Sequence, residues 1–242
     1  MSNNQSMADL SVTYDVLVIG GGNAALCAAM TAREEGASVL VLEVSPKHFR
    51  GGNSRHTRNL RYMHAEGNEF LTGPYTEEEF YNDLIRVTGG QTNEELARLT
   101  IRGSNNVGEW MQEHGCMFQP AMRGTLHLSR TNAFYLGGGR ALMNSYYRTA
   151  EKLGIVVSYD TEVQDLQIDD GQFSSATVVK DNQTQTVKAK SVILACGGFQ
   201  ANLEWLKEEW GPAADNFIVR GSPYDKGRML RVMLDNGAKQ IG

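Results

Sequence analysis

Asp15–Glu43 reads DVLVIGGGNAALCAAMTAREEGASVLVLE, and the order of its parts decides the fold. An apolar run, Val16-Leu17-Val18-Ile19, suits a strand buried on both faces. Gly20, Gly22 and Ala25 follow in the spacing G-x-G-x-x-A, and an alanine-rich helical stretch from Ala24 to Glu35 stops at Gly36. A second apolar run, Ser38 to Leu42, ends in an acid, Glu43. A glycine fingerprint alone is weak, but here a strand precedes it, a helix follows it, and an acid stands where a ribose would need one. In this unit Gly20 permits the tight turn, Gly22 lets a pyrophosphate approach the backbone, and Ala25 lets helix and strand pack closely. The helix N-terminus offers N–H groups and partial positive charge to a diphosphate. Glu43 accepts from both hydroxyls of an adenosine ribose and repels a 2′-phosphate, which argues against NADP. The alternative is an ordinary Gly-rich strand–helix turn without a ligand.

Outward from that unit, the chain has 242 residues, 41% hydrophobic and 21% charged, an ordinary composition for a protein able to bury a core. Its 26 glycines cluster in doublets and triplets, the pattern of backbone approaching a ligand. A net charge of −5 without a long basic run gives no nucleic-acid footprint. Cys27, Cys116 and Cys196 are far apart and form no C-x-x-C pair, so neither a disulfide framework nor a zinc or other metal site is expected. Residues 1–13 are polar and read as a flexible tail on a cytoplasmic protein, and no apolar run reaches the length of a membrane span.

Arg50 to Arg61, RGGNSRHTRNLR, offers bare N–H groups and short polar side chains after the dinucleotide unit; it is either a ligand loop or a surface turn leading into a basic strand. Two helices with capping boxes come next. One starts at Thr76, with Phe80, Leu84 and Val87 on its apolar side, and the other at Thr92, with Leu96 and Leu99 inward. A third, from about Asn105 to His114, stops at Gly115 and places Trp110 and Met111 in the core. An amphipathic helix spans Ala141 to Leu153, and Ile155-Val156-Val157 reads as a third parallel strand. The period then changes to two: 162–168, 173–180 and 184–189 form an antiparallel meander with turns at Asp169-Asp170-Gly171 and Asp181-Asn182. Ser191 to Ala195 is a separate buried strand running into Cys196-Gly197-Gly198-Phe199.

The βαβ start with its ribose acid, the GGNS loop, the GGG before a helix, the meander and the strand ending ILACGGFQAN occur in that order. This order resembles the flavoproteins of the fumarate reductase/succinate dehydrogenase family. VLVIGGGNAALCAAMTAREEGASVLVLE, GGNSRHTRNLR and RTNAFYLGGGRALMNSYYRTAEKLGI are especially similar to members that oxidise tricarballylate to cis-aconitate. The resemblance implies an α/β fold: a Rossmann-like FAD-binding domain with a parallel sheet, a helical insert and a three-stranded antiparallel meander. Residues 14–200 would be that domain and 201–242 the start of a connection to a capping domain; the capping domain and the return of the flavin domain would lie beyond Gly242 with the catalytic residues.

The resemblance also implies FAD as cofactor, a small polycarboxylate as substrate and an electron acceptor for the reduced flavin. Gly20, Gly21, Gly22, Asn23 and Ala24 would hold the pyrophosphate, Glu43 with Val44 the adenosine ribose, and Gly51, Gly52, Asn53 and Ser54 the ribityl and flavin portion. Val163 would meet the adenine, and Ala195, Cys196 and Gly197 would close over the cofactor. Asn53 stands near the place where some relatives bond a histidine to the flavin, which implies non-covalent FAD; His56 is three residues on. The turn Asp225-Lys226-Gly227-Arg228-Met229 carries Met229 where relatives prefer glycine, so no flavin contact is expected there. Arg58, His127 and Arg130 are the candidates for substrate-side charge; the other reading of the arginines of the 58–61 stretch is surface or interdomain pairing, and of His127 a loop histidine without a role. Two rivals stay open: a flavin enzyme for another substrate, such as a ketosteroid, and an FAD-binding module that needs a second polypeptide.

Overall fold

The computed structural model describes residues 8–121 and 128–240. The chain divides into two compact units, one formed by residues up to 54 together with those from 147 onward, the other by residues 55–146. Residues 201–240 fall in the first unit, where Met229 is buried in the core.

Among the described residues, the first unit is built on a six-stranded sheet: β1 (Tyr14–Ile19), β2 (Val39–Leu42), β5 (Val156–Ser158), β6 (Thr161–Asp169), β7 (Gln172–Lys180) and β8 (Gln183–Leu194), in the order β5-β2-β1-β8-β7-β6. Continuous runs of Val, Leu and Ile suit central parallel strands covered on both faces, and all four β2 residues are buried. Val16 pairs with Val39 on one side of β1 and with Ser191 on the other. Helix α1 (Asn23–Glu34) buries Ala25, Leu26, Ala29 and Met30, and its small alanines let it lie close to the sheet. The meander turns are as read from the sequence: Asp170 and Gly171, then Asp181 and Asn182, all have positive φ, the paired left-handed geometry that suits strand twist in a two-residue hairpin.

The expected break between a third meander strand and a following buried strand is absent. Gln183–Leu194 is one strand, which pairs antiparallel with β7 as far as Lys188 and parallel with β1 from Ala189 onward. Part of the stretch read as a tail packs on the core. Leu10 is buried in the core cluster and Ala8 packs against it, so apolar burial orders part of residues 8–13. Helices α6 (Leu203–Trp210), which the sequence reading did not identify, and α7 (Arg228–Asp235) complete this unit.

The second unit carries a two-stranded antiparallel ribbon, β3 (Asn59–Arg61) with β4 (Asn132–Phe134), and helices α2 (Glu77–Thr88), α3 (Glu94–Gly103) and α4 (Val107–Glu113). Helix α5 (Gly138–Lys152) begins in it and crosses the boundary at Tyr147. Tyr62, Phe70, Leu71 and Ala133 form its core. Buried His64 places Nδ1 2.9 Å from the Tyr62 carbonyl and Nε2 2.9 Å from that of Gly73. Thr76 caps α2 as read, accepting from the Glu79 N–H. Val87, however, is exposed. The second capping box is displaced by one residue: Asn93 Oδ1 accepts from Leu96 N at 2.9 Å, while the Thr92 hydroxyl hydrogen-bonds that of Thr88. Ala97 and Ile101 face inward, and Leu96 and Leu99, expected inside, are 60% and 64% exposed.

Candidate functional site

The ends of β1, β2 and β8 open onto a cavity of about 320 Å³ in the first unit, within the range of small-ligand clefts. Gly20, Gly21, Gly22, Asn23 and Ala24 line it from the β1–α1 turn, Glu43 and Val44 from the end of β2, and Gly52, Asn53 and Ser54 from the next loop. Val163 on β6 and Ala195, Cys196 and Gly197 after β8 complete the set expected from the sequence. Gly51 alone of that set is not on the wall; it is buried, with its carbonyl behind Gly22.

Each glycine of the turn is enforced by a different neighbour. Gly20 has φ +112°, and a Cβ there would run into the Ala195 carbonyl. A Cβ on Gly21 would collide with the Glu43 carboxylate and the Tyr147 hydroxyl. Gly22 is different. Its φ is an ordinary −80°, and a Cβ would meet only Ser54 Oγ at 3.4 Å and the Gly51 carbonyl at 3.8 Å. What a side chain at Gly22 would occupy is the cavity. The α1 ladder starts with Leu26 N donating to the Gly22 carbonyl, and no side chain caps the helix. The Asn23 N–H is held by Ser54 Oγ at 2.9 Å, and the N–H groups of Ala24 and Ala25 precede the ladder, at the positive end of the helix. This is an anion cradle made of backbone.

Glu43 is 4% exposed. Burial raises its pKa, while the N–H groups of Ser45, at 2.7 Å from Oε1, and Gly21 act in the opposite direction. Those two donors leave about two of a carboxylate's four lone-pair sites for hydroxyls of a sugar. Behind the turn, the Tyr147 hydroxyl donates to the Gly21 carbonyl at 2.8 Å, Arg50 lies 4.3 Å over the Tyr147 ring, and Arg50 Nη1 donates to the Tyr159 hydroxyl at 3.1 Å. This support was not read from the sequence, because Tyr147 sits on an amphipathic helix 126 residues from Gly21.

The cavity also includes residues for which no contact was expected. Gln200, Ser222, Tyr224 and the turn Asp225 to Met229 form one of its walls. The turn for which no flavin contact was expected thus stands on the cavity wall, with Met229 buried in the core. Arg58 and Arg130 belong to the second unit. Arg58 is exposed there. Arg130 is bound by both carboxylate oxygens of Glu79 and also donates to the Pro74 carbonyl, which corrects its reading as charge held ready for a substrate. His127 lies outside the described residues.

A family model described as an FAD binding domain matches residues 15–242. The chain belongs to that family. Like other FAD-binding domains it takes FAD as cofactor, and the bare glycine turn, the helix N-terminus and the buried acid Glu43 on the same cavity fit that group. This FAD-binding domain is 30% identical over 240 residues to an NADH:fumarate oxidoreductase of Klebsiella pneumoniae (strain 342), covering 95% of this chain and 25% of that protein. It is 28% identical over 206 residues to a probable fumarate reductase Ifc3 of Shewanella frigidimarina (strain NCIMB 400), covering 81% of this chain and 34% of that one. In fold it superposes on the open conformation of a flavocytochrome c3 fumarate reductase with TM-score 0.81 and 24% identity, over 95% of this chain and 41% of that one. A 3-ketosteroid-Δ4-(5α)-dehydrogenase of Rhodococcus jostii RHA1 gives TM-score 0.83 at 22% identity, over 98% and 56%. The domain thus spans only part of each relative. No helix among its described residues is long and apolar enough to cross a membrane.

The raised pKa of Glu43 has a measurable consequence. Below the ordinary glutamate pKa the side chain is neutral in both folded and unfolded protein. As pH rises from there towards the higher folded value, the unfolded chain ionises first and the FAD-free fold loses stability. FAD-free Glu43→Gln protein is therefore expected to melt above wild type at pH 7, with the gap closing as pH falls through that window. The same variant is expected to bind FAD more weakly. Melting curves across pH, paired with FAD titration, check both halves.

Proposed function

We propose that the protein is an FAD-dependent oxidoreductase acting on a carbon–carbon bond of a small polycarboxylate, in the manner of tricarballylate dehydrogenase, which converts tricarballylate to cis-aconitate. The observation that carries the cofactor half is the cavity itself: the glycine turn, the uncapped start of α1 and buried Glu43 converge on it. In this reading the N–H groups of Gly22 and Ala24 hold the diphosphate while that of Asn23 stays on Ser54 Oγ, Glu43 holds the adenosine ribose, and Tyr147 with Arg50 keeps the turn in register. FAD is held non-covalently, because the loop position facing the cavity is the amide Asn53.

FAD, when bound, supplies the hydride acceptor. The chain's contribution is to position the cofactor and provide cationic charge for carboxylates. Forming the alkene removes a proton and a hydride from adjacent carbons, and cations offset the charge that develops beside the carboxylate. Arg58, exposed on the RHTRNLR stretch, is the candidate retained for a bidentate carboxylate contact. The substrate half is supported by the sequence resemblance and by fumarate reductases among the relatives. An acceptor for the reduced flavin is also required.

The test is anaerobic mixing of the FAD-loaded protein with tricarballylate, succinate or the saturated ketosteroid 5α-androstane-3,17-dione, followed by the visible flavin band. Bleaching by tricarballylate is expected. Bleaching by the steroid alone would favour the reading suggested by the ketosteroid dehydrogenase fold, and no bleaching by any of the three would set the oxidative reading aside.

A further inference from the structure

His64, in the second unit, is 7% exposed and has no part in the cavity described above. Both of its ring nitrogens face backbone oxygens. Nδ1 lies 2.9 Å from the Tyr62 carbonyl, while Nε2 lies 2.9 Å from the Gly73 carbonyl and 3.0 Å from that of Arg130. A carbonyl only accepts. A neutral imidazole carries one N–H, so whichever tautomer it adopts, its bare nitrogen sets a lone pair against an oxygen. The imidazolium has an N–H on each nitrogen and satisfies all three carbonyls, with the Nε2 proton shared between two of them.

The backbone around the ring is tied down. His64 and Tyr75 exchange N–H to carbonyl bonds at 3.0 and 2.9 Å, Met63 N donates to Ser104 Oγ at 3.0 Å, and Thr72 N donates to the Ser129 carbonyl at 3.0 Å. The carbonyls are thus held where they are. The rings of Tyr62 and Tyr75 lie 5.3 and 6.3 Å from the imidazole, centroid to centroid. Burial pushes both phenols up, that of Tyr75 to about 12, so neither supplies a negative charge near neutral pH. The Tyr75 hydroxyl donates to Asp83, which also pairs with Arg61 at 3.6 Å and Arg86 at 2.7 Å. The Arg130 guanidinium is bound by Glu79. Each carboxylate of this group already has an arginine, so the charge on the ring is offset by the three carbonyls.

We propose that His64 is held as the imidazolium and acts as a pH-sensitive clamp, whose second proton ties the loop from Tyr62 to Tyr75 to the turn at Arg130. The two ends it joins are those of the ribbon: β3 ends at Arg61, beside Tyr62, and β4 starts at Asn132, two residues after Arg130. At neutral pH the folded protein then holds a proton that the unfolded chain gives up, so the clamp stabilises at low pH and is lost as pH rises. Nitrogen-15 NMR of the histidine-labelled full chain reads the two ring nitrogens directly. His64→Gln identifies the His64 signals among those of the five histidines. If that variant does not fold, glutamine at His48, His56, His114 and His127 in turn identifies them by elimination. At about pH 7, where a free histidine is mostly neutral, both His64 nitrogens are expected to carry protons. One protonated and one bare nitrogen would overturn the proposal. Melting curves give a second readout: wild type is expected to melt above His64→Gln at about pH 6 and to lose that lead by about pH 9. A lead that stays constant, or that widens as pH rises as it would for a buried neutral histidine, would overturn it too.

Discussion

Gly22→Val protein is expected to fold like wild type and to be isolated colourless, with FAD affinity lowered by at least about a hundredfold, the equivalent of about 2.7 kcal/mol. The expectation comes from what surrounds this glycine. Its backbone is extended, a conformation valine adopts readily, and the nearest atoms to an added Cβ are at van der Waals distance. The protein leaves room for the Cβ. The branched methyls would instead stand over the α1 N-terminus, where a diphosphate must come within hydrogen-bond distance of backbone N–H groups. Circular dichroism, a melting curve and an FAD titration check the three parts. A folded Gly22→Val variant with unchanged FAD affinity would mean that the diphosphate does not use this turn.

Two residues earlier the same kind of change is expected to fail in the opposite way. Gly20→Ala places a Cβ on a backbone at φ +112° and against the Ala195 carbonyl. The turn cannot relax easily, because Gly20 N donates to the Leu42 carbonyl at 2.8 Å and Ala195 N to the Ile19 carbonyl at 2.9 Å. Strain and steric overlap together are expected to cost about 3 kcal/mol or more, lowering the melting temperature by about 6–12 °C in FAD-free protein. The pair is diagnostic because the two glycines have separate jobs: Gly20 lets β1, β2 and β8 meet, and Gly22 leaves room for the ligand. If both variants lost only cofactor, or both lost only stability, that division of labour would be wrong.

The sequence could be read this far because the dinucleotide unit is local. Strand, glycine turn, helix and acid lie within Asp15–Glu43, so the chemistry of the turn and of Glu43 could be written from neighbouring residues. The hairpins at Asp170-Gly171 and Asp181-Asn182 were legible for the same reason. Harder to read were features decided by partners far along the chain. β8 looked like two strands because its hydrophobic period changes near Ala189, but that change records a change of neighbour, from β7 to β1, and not a break in the backbone. The start of α3 turned on which of two adjacent capping residues was available. The Thr92 hydroxyl is engaged with Thr88, so Asn93 caps. The buried side chains are Ala97 and Ile101, a choice of face made by packing against the rest of the unit and not by the cap.

Asp225 carried no local signal at all. A short polar turn with one acid is common, and its place on the cavity wall depends on Asn53, 169 residues before its partner Ser222, and on the burial of Met229. Arg130 misled for the converse reason. An arginine in a loop reads as available charge until its carboxylate partner, Glu79, is found 51 residues earlier. Tyr147 shows a third case: on its own helix it is simply one more buried aromatic, and only the fold brings its hydroxyl to the Gly21 carbonyl.

The central claim is that FAD lies across the start of α1 with its adenosine ribose on Glu43, and a crystal structure of the protein with FAD tests it most directly. Expected is a diphosphate within hydrogen-bond distance of the N–H groups of Gly22 and Ala24, with ribose hydroxyls on the Glu43 carboxylate. A cofactor bound elsewhere, or a Glu43 that touches no part of it, would contradict the account.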